Sequence, residues 1–473
     1  MDNPGKAFFA ALPTSISRCV DSGDVARHLR DFTPVRPQKH DPLAVVYPRT
    51  VQEVSAVMTA ASDAGLDVVT QGGLTGMSGG ALPSKDCIVL STEKLRGIEE
   101  IDLAADTMTV SAGTPLQLVQ EAASENGRFF ALDFGSRGSC TIGGAIATNA
   151  GGNRVLRFGM MRDLVLGIEV VLADGTVMTA LNKMMKNNAG FDLRNLFIGS
   201  EGALGVVTRA VLKLHPKPTS CQTVLAAVAN SDKLYALLAH ARKSLGGQLS
   251  AFEVMWQDFY RLTHEVSGRS PLSPDSGSHF VLLETLGANE EADNLVFQSF
   301  LETAVEQDIV VDAAVAQSVS DAQAFWKIRD SSGELSHLWA PVVNFDVSVP
   351  VSRAQEFTIE CRAALLKALP DTDVVFFGHL ADSNMHLAVK DPQRQWKAMI
   401  DSTVYEVVRS FSGSVSAEHG IGLDKREYLG HSRSPEELMV MGWMKKVLDP
   451  GNRLNPGKVL PAAVLDSVYG AGH

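Results

Sequence analysis

His379 closes the run VVFFGH, His386 opens MHLAV, and Glu418 and His419 stand together in SAEHGIG. Two imidazoles and a carboxylate with coordination positions left open suit Zn2+ or a similar divalent ion. The fourth group, His419, then stands beside the ion as a base, because imidazole titrates near neutrality and can take a hydroxyl proton at working pH. On one straight strand His379 and His386 would have opposite parity and face apart. The link between them is turn-like, through Asp382, Ser383 and Asn384, and a bend there brings the rings together. Taken singly, either histidine is better read as a locally satisfied strand-end residue. The Asp-Asn turn and the separate Glu-His-Gly balance that reading evenly against a metal site. His419 has rival readings of its own, a second metal ligand or a turn histidine. Arg329, in FWKIRDSSG, offers a planar fork for a carboxylate, although an Arg on a helix is ordinarily a solvated surface charge.

The first half of the chain is rich in glycine instead. QGGLTGMSGGA (71–81) packs five glycines into eleven residues after a strand, and FGSRGSCTIGGAIATNAGGN (134–153) adds six more. Such loops permit close backbone approach and aim N–H groups at an anion such as a pyrophosphate. One such cluster alone would read as tight turns; two, interleaved with hydroxyls, weaken that reading. No G-x-G-x-x-G follows a strand, so a Rossmann nicotinamide site is unsupported. Gly451–Lys458 misses a Walker loop by one residue and has Val459 where Ser or Thr is needed. Gly76-Met77-Ser78-Gly79-Gly80 satisfies G-x-S-x-G, but ALPSKD after it is a poor helix start for a nucleophile elbow.

The elements that must carry these groups alternate between strand and helix. Thr50-Val51-Gln52-Glu53 has the form of a capping box ahead of a helix that Gly65 ends. LDVVTQGG, DCIVLS and TMTVSAG read as strands, and Thr114-Pro115 caps a helix with Leu118, Val119 and Ala122 on one face. GIEVVLADGTVM is strand, Asp-Gly turn, strand, and LGVVTRAVLKLHP is a strand stopped by Pro216. HPKPTS (215–220) is a boundary. Beyond it, DTDVVFFGH and MHLAVK are strands about a turn, and WKAMIDSTVYEVVRSF puts Ile400, Val404, Val407 and Phe411 on one helical face. The mixture predicts an α+β fold. At 473 residues, two or more domains are expected. A formal net charge of −12 argues against a nucleic-acid partner, yet permits an anionic substrate at a locally cationic site. Five scattered cysteines without a CxxC, no cationic N-terminal signal and no long apolar run read as a soluble, cytoplasmic protein.

PRTVQEV, QGGLTGMSGGA, GSRGSCTIGGAIATNAGG, GSEGALGVVT, GHLADSNMH, SAEHGIG and DPGNRLNPGK occur in that order. The set resembles the vanillyl-alcohol-oxidase (PCMH-type) flavoproteins, and within them the D-lactate and D-2-hydroxyglutarate dehydrogenases. The resemblance runs from about residue 40 to 462. It implies an N-terminal segment (1–38), a two-subdomain FAD-binding domain (39–217) and an α+β substrate domain with an antiparallel sheet (218–462), with 450–462 returning to the flavin. By resemblance, Gly72, Gly73, Thr75, Gly76, Ser78 and Gly79 cradle the pyrophosphate. Ser136, Gly143, Gly144, Thr148, Asn149, Gly152, Glu201, Gly202 and Val207 line the FAD, and Asn455 reaches the isoalloxazine. No histidine stands in the first glycine loop, so FAD is expected to be non-covalent. The resemblance also makes His379, His386 and Glu418 the metal ligands, His419 the base and Arg329 the carboxylate clamp.

The implied reaction is oxidation of a D-2-hydroxy acid to the 2-oxo acid by hydride transfer to flavin. Electrons would pass on to an electron-transfer flavoprotein, a quinone or a cytochrome; a homodimer is left open. Another flavin alcohol oxidase of the superfamily and a metallohydrolase are the alternatives. Departures from the hydroxyglutarate relatives fall at Asn344, Gly333, Ala388 and the turn Ala381–Asn384. With fewer polar groups at these positions, a second carboxylate on the substrate would go unpaired. A substrate with a smaller or less polar side chain than hydroxyglutarate is therefore expected.

Overall fold

The computed structural model describes residues 4–33, 41–267, 271–331, 341–392 and 394–470. Gly333 lies outside the described residues. The chain divides into two compact units, Met1–Gly152 with Met160–Lys217 and Glu418–His473, and Asn153–Gly159 with Pro218–Ala417. After the excursion at Asn153–Gly159, the chain passes into the second unit between Lys217 and Pro218, within HPKPTS. It returns at Glu418, and the stretch Glu418–His473 clusters with the first unit.

The first unit holds two larger sheets. In one, Ala44–Tyr47 and Val68–Gln71 pair in parallel with Ile88–Ser91, and Ser17–Cys19 adds an antiparallel edge. Helix Val51–Ala64 links two of these strands, burying Val54, Val57, Met58, Ala60 and Ala61. Thr50 caps it by accepting the Glu53 N–H, and Gly65 closes it in the left-handed conformation. The reciprocal half of the expected capping box differs, since the Glu53 carboxylate accepts from the N–H of Arg49. The second sheet is antiparallel, in the order 98–102, 107–111, 206–213, 165–171, 177–180. The helix after Pro115 buries Leu116, Val119 and Ala123. Leu118 faces solvent, and Thr114 bonds Gly97 instead of capping.

The second unit is built on a seven-stranded antiparallel sheet. Four neighbouring strands position the polar groups: β1 (Leu249–Trp256), β2 (Val342–Ser348), β3 (Val374–His379) and β4 (Asn384–Lys390), in the spatial order β1-β3-β4-β2. Helix α1 (Val319–Asp330) and the helix Gln257–Ser267 cover one face. Phe325, Ile328, Phe259 and Tyr260 there join Met255, Phe377, Ala388 and Leu282 in one apolar cluster. Helix Lys397–Ser410 buries Ile400, Val404 and Val408; Val407 is only half-buried, one position off the expected stripe.

Candidate functional site

A polar row crosses that apolar face. In the β1–β3 register Glu253 lies opposite His379, in β3–β4 Phe377 lies opposite His386, and in β4–β2 His386 lies opposite Asp346. The hairpin resolves the parity problem. His379 pairs with Asn384, and strand reversal puts residues 384 and 386 on the face that His379 occupies. The two imidazole centroids are 5.3 Å apart.

Each member of the row is engaged. Glu253 Oε1 meets His379 Nδ1 at 2.6 Å, and its Oε2 accepts from Arg329 Nε at 2.8 Å. Arg329 NH2 also donates to His379 Nε2 at 3.0 Å. A guanidinium can only donate, so Nε2 is the unprotonated nitrogen and Nδ1 carries the proton shared with Glu253. The guanidinium lies over the Phe377 ring at 5.5 Å. Arg329 is therefore buried, at 6% exposure, and not a solvated helix charge. Burial pushes the Glu253 carboxyl upward, but His379 and Arg329 beside it outweigh this and hold it below the usual range. Asp346 Oδ2 accepts from Ser416 Oγ and the Ala417 N–H, and Ser414 pairs with Ser348. These bonds fasten 414–417 along β2, and Glu418 is the next residue of the chain. His379 and His386 share one face of the sheet in the second unit, and both are buried.

Asn344 and Ala388 are register partners, two residues along from Asp346 and His386 on the same face. Ala388 is fully buried, while Asn344 is exposed.

In the first unit the two glycine loops pack against each other. A Cβ on Gly73 would lie 1.9 Å from Ser139 O, one on Gly72 would lie 2.4 Å from Thr141 Oγ1, and one on Gly143 would lie 2.7 Å from the Ala112 Cβ. Thr141 caps helix Ile142–Thr148, and Asn149 ends it in the left-handed conformation. Thr148 Oγ1 bonds Gly144 O, and Asn149 Oδ1 accepts the Arg162 N–H. Gly152 abuts Asp133 O. Gly76 is different: its nearest neighbour for a Cβ is Asp31 Oδ2 at 3.8 Å. Protein packing does not require glycine at Gly76, which suits close approach by a ligand. Thr75 and Ser136 are half-buried on these loops, and Val207 lies in the strand Val206–Lys213.

Three residues expected at the flavin have side chains committed to protein. Ser78 Oγ bonds His419 O and Gly420 O. Glu201 accepts the N–H groups of Ile421 and Gly422. Asn455 donates to Gly80 O and Glu201 O and accepts from Lys458 Nζ. In this structure these side chains tie the loop 419–422 and the tail near 455 to the glycine loops. Sequence reasoning also misses Glu253. Its signal was present, since it is the one charged residue in the otherwise apolar strand LSAFEVMW, and such a residue needs a partner.

The fold is that of the PCMH-type flavoproteins. p-Cresol methylhydroxylase superposes with a TM-score of 0.78 over 97% of each chain at 17% identity. 4-Ethylphenol oxidase from Gulosibacter chungangensis gives 0.70 over 98% of this chain and 97% of that one, also at 17%. Residues 42–181 match the FAD binding domain, and residues 217–459 match the C-terminal domain of FAD linked oxidases. The chain is 38% identical over 447 residues to a D-2-hydroxyglutarate dehydrogenase of Xanthomonas citri pv. viticola, covering 93% of both. It is 37% identical to a mitochondrial D-2-hydroxyglutarate dehydrogenase of Bos taurus over 88% of this chain and 76% of that one. A Schizosaccharomyces pombe protein provisionally named a mitochondrial D-lactate dehydrogenase is 35% identical over 87% of this chain and 80% of its own length. The chain belongs to the FAD-linked oxidases, and it is a flavoprotein oxidoreductase. Among the described residues no helix is long and apolar enough to cross a membrane.

Proposed function

We propose that the protein oxidises a D-2-hydroxy acid to the 2-oxo acid with FAD and a divalent metal held by His379, His386 and Glu418. The polar row Asp346–His386–His379–Glu253 carries this reading, because an otherwise apolar sheet face retains such groups for a reason beyond packing. A proton fixed on His379 Nδ1 by Glu253 leaves Nε2 as the ligating atom, the carboxylate–histidine arrangement common behind metals. Arg329 NH2, which donates to Nε2 here, would have to give way to an ion at that atom, and its N–H groups would then be free for a substrate carboxylate. His419 takes the C2 hydroxyl proton. Bound FAD would supply the hydride acceptor for C2, and an ion held by His379, His386 and Glu418 would supply a Lewis acid for the C2 hydroxyl. Phe377, Met255, Ile328 and Ala388 keep water from this end of the sheet. The electrons then leave to an electron-transfer flavoprotein, a quinone or a cytochrome.

Ala388 offers no hydrogen bond to a second carboxylate. We therefore read the substrate as a D-2-hydroxy acid with a smaller or less polar side chain than hydroxyglutarate. Anaerobic titration of the oxidised flavin spectrum tests the reaction, and kcat/KM for D-lactate, D-2-hydroxybutyrate, D-mandelate and D-2-hydroxyglutarate tests the preference. Bleaching by none of the four defeats the reaction. A clear lead for hydroxyglutarate defeats the preference alone. Dialysis against a chelator should abolish turnover while leaving the flavin bound, and Zn2+ should restore it; full activity in metal-free protein removes the metal from the reading.

A further inference from the structure

The loop His419–Asp424 has no helix or strand, yet its backbone is fastened almost atom by atom within the first unit. Glu201 Oε1 accepts from the Ile421 N–H at 2.7 Å, and Oε2 accepts from the Gly422 N–H at 2.9 Å. Ser78 Oγ lies 3.2 Å from His419 O and 3.1 Å from Gly420 O. Ser78 O accepts from the N–H groups of Leu423 and Asp424, and Gly422 O accepts from the Val459 N–H. The glycines fit this clamp sterically. A Cβ on Gly420 would stand 2.9 Å from the Glu201 carboxyl carbon at φ +80°, and one on Gly422 would stand 2.0 Å from Ser78 O at φ +52°. Glu201 itself is a non-glycine residue at φ 51°. It is held there by its own N–H on Ala147 O and by Asn455 Nδ2 on its carbonyl. A residue kept in a sparsely populated conformation by several bonds points to a role for what it presents, and what Glu201 presents is a two-oxygen acceptor to two successive N–H groups.

We infer that Glu201 is a positioning residue for His419, assisted by Ser78, and not a ligand of the flavin. The inference rests on reading His419 as the base. A carboxylate is the side chain that can accept two neighbouring N–H groups at once, with charge-assisted bonds. Glu201→Gln keeps the shape but turns one acceptor into an amide that faces an N–H. Freeing a base by as little as an ångström lowers turnover by roughly 100-fold.

The test is a double-mutant cycle on the FAD-loaded protein, with Glu201→Gln, His419→Ala and both together, measured for kcat, KM, flavin content and pH profile. Glu201→Gln should lower kcat by about 10- to 100-fold, with flavin content kept and KM moved much less. In the His419→Ala background it should cost nothing more, because the group it positions is gone. The same loss in both backgrounds would make Glu201 a general structural residue and overturn the inference. Loss of flavin from folded Glu201→Gln protein would make it a cofactor ligand and overturn it too. Full turnover in His419→Ala would sink the base itself, a separate failure that the single variant reveals. Should Glu201→Gln fold poorly, Ser78→Ala supplies the same cycle from the other side of the loop, with a smaller loss in kcat that also vanishes without His419; a loss that persists there counts against the inference.

Discussion

Glu201 and Glu253 are both desolvated carboxylates, one in each unit, and they are used in opposite ways. Glu253 sits between an imidazole and a guanidinium, Glu201 between two backbone N–H groups. Burial is the largest influence on both and pushes both upward. At Glu253, His379 and Arg329 reverse that push and the group is held low. At Glu201 the N–H groups of Ile421 and Gly422, with Lys425 and Lys458 further off, do not reverse it, and the group is held high. An adjacent guanidinium together with an imidazole N–H thus offsets desolvation where peptide dipoles only reduce it. The first arrangement suits holding a cation site in shape, and the second suits holding a loop.

Removing the two carboxylates should separate these uses. Glu253→Ala leaves Arg329 buried without its counter-charge and should cost about 3–5 kcal/mol in urea unfolding. A cost under about 1 kcal/mol would mean that Arg329 escapes to water. Glu253→Gln should be milder in stability yet lower metal affinity by roughly 10- to 100-fold, measured by competition with a chromogenic chelator. Glu201→Ala orphans two N–H groups instead of a charge, so about 1–3 kcal/mol is expected; a cost equal to that of Glu253→Ala would erase the distinction between the two carboxylates.

The pH dependence sharpens it further. Because the folded Glu201 carboxyl titrates above the ordinary glutamate value of 4.5, the folded state binds that proton more tightly than the unfolded chain. The stability this contributes is fully present below 4.5 and is lost as pH rises through the folded value. Wild type should therefore lose ground to Glu201→Gln as pH rises through that window, read from unfolding curves at successive pH; a wild-type advantage that grows with pH contradicts the shift. The smallest effect is expected at Asn344→Ala. This exposed position should change stability by less than about 0.5 kcal/mol, and any effect should appear in the ratio of kcat/KM values between substrates.

Much of the molecule could be read along the chain. The glycine loops, the strands around the Asp-Gly turn and the hairpin Val374–Lys390 all declare themselves within about twenty residues, since turn chemistry and alternation are local. The two histidines and the Glu-His pair could be picked out by type. The buried stripe of Leu116–Glu125 could not, because apolar residues stand on more than one side of that helix and packing decided which were covered. Nor could the double use of Ser78, Glu201 and Asn455, whose side chains meet partners hundreds of residues away.

By itself the sequence determined which chemical groups exist and which local turns present them. Tertiary structure alone decided which group holds which. Glu253 reaches His379 across 126 positions, and Glu201 reaches Ile421 across 220. The physical reason is that strand register and burial bring such pairs together, and neither leaves a periodic trace near either residue.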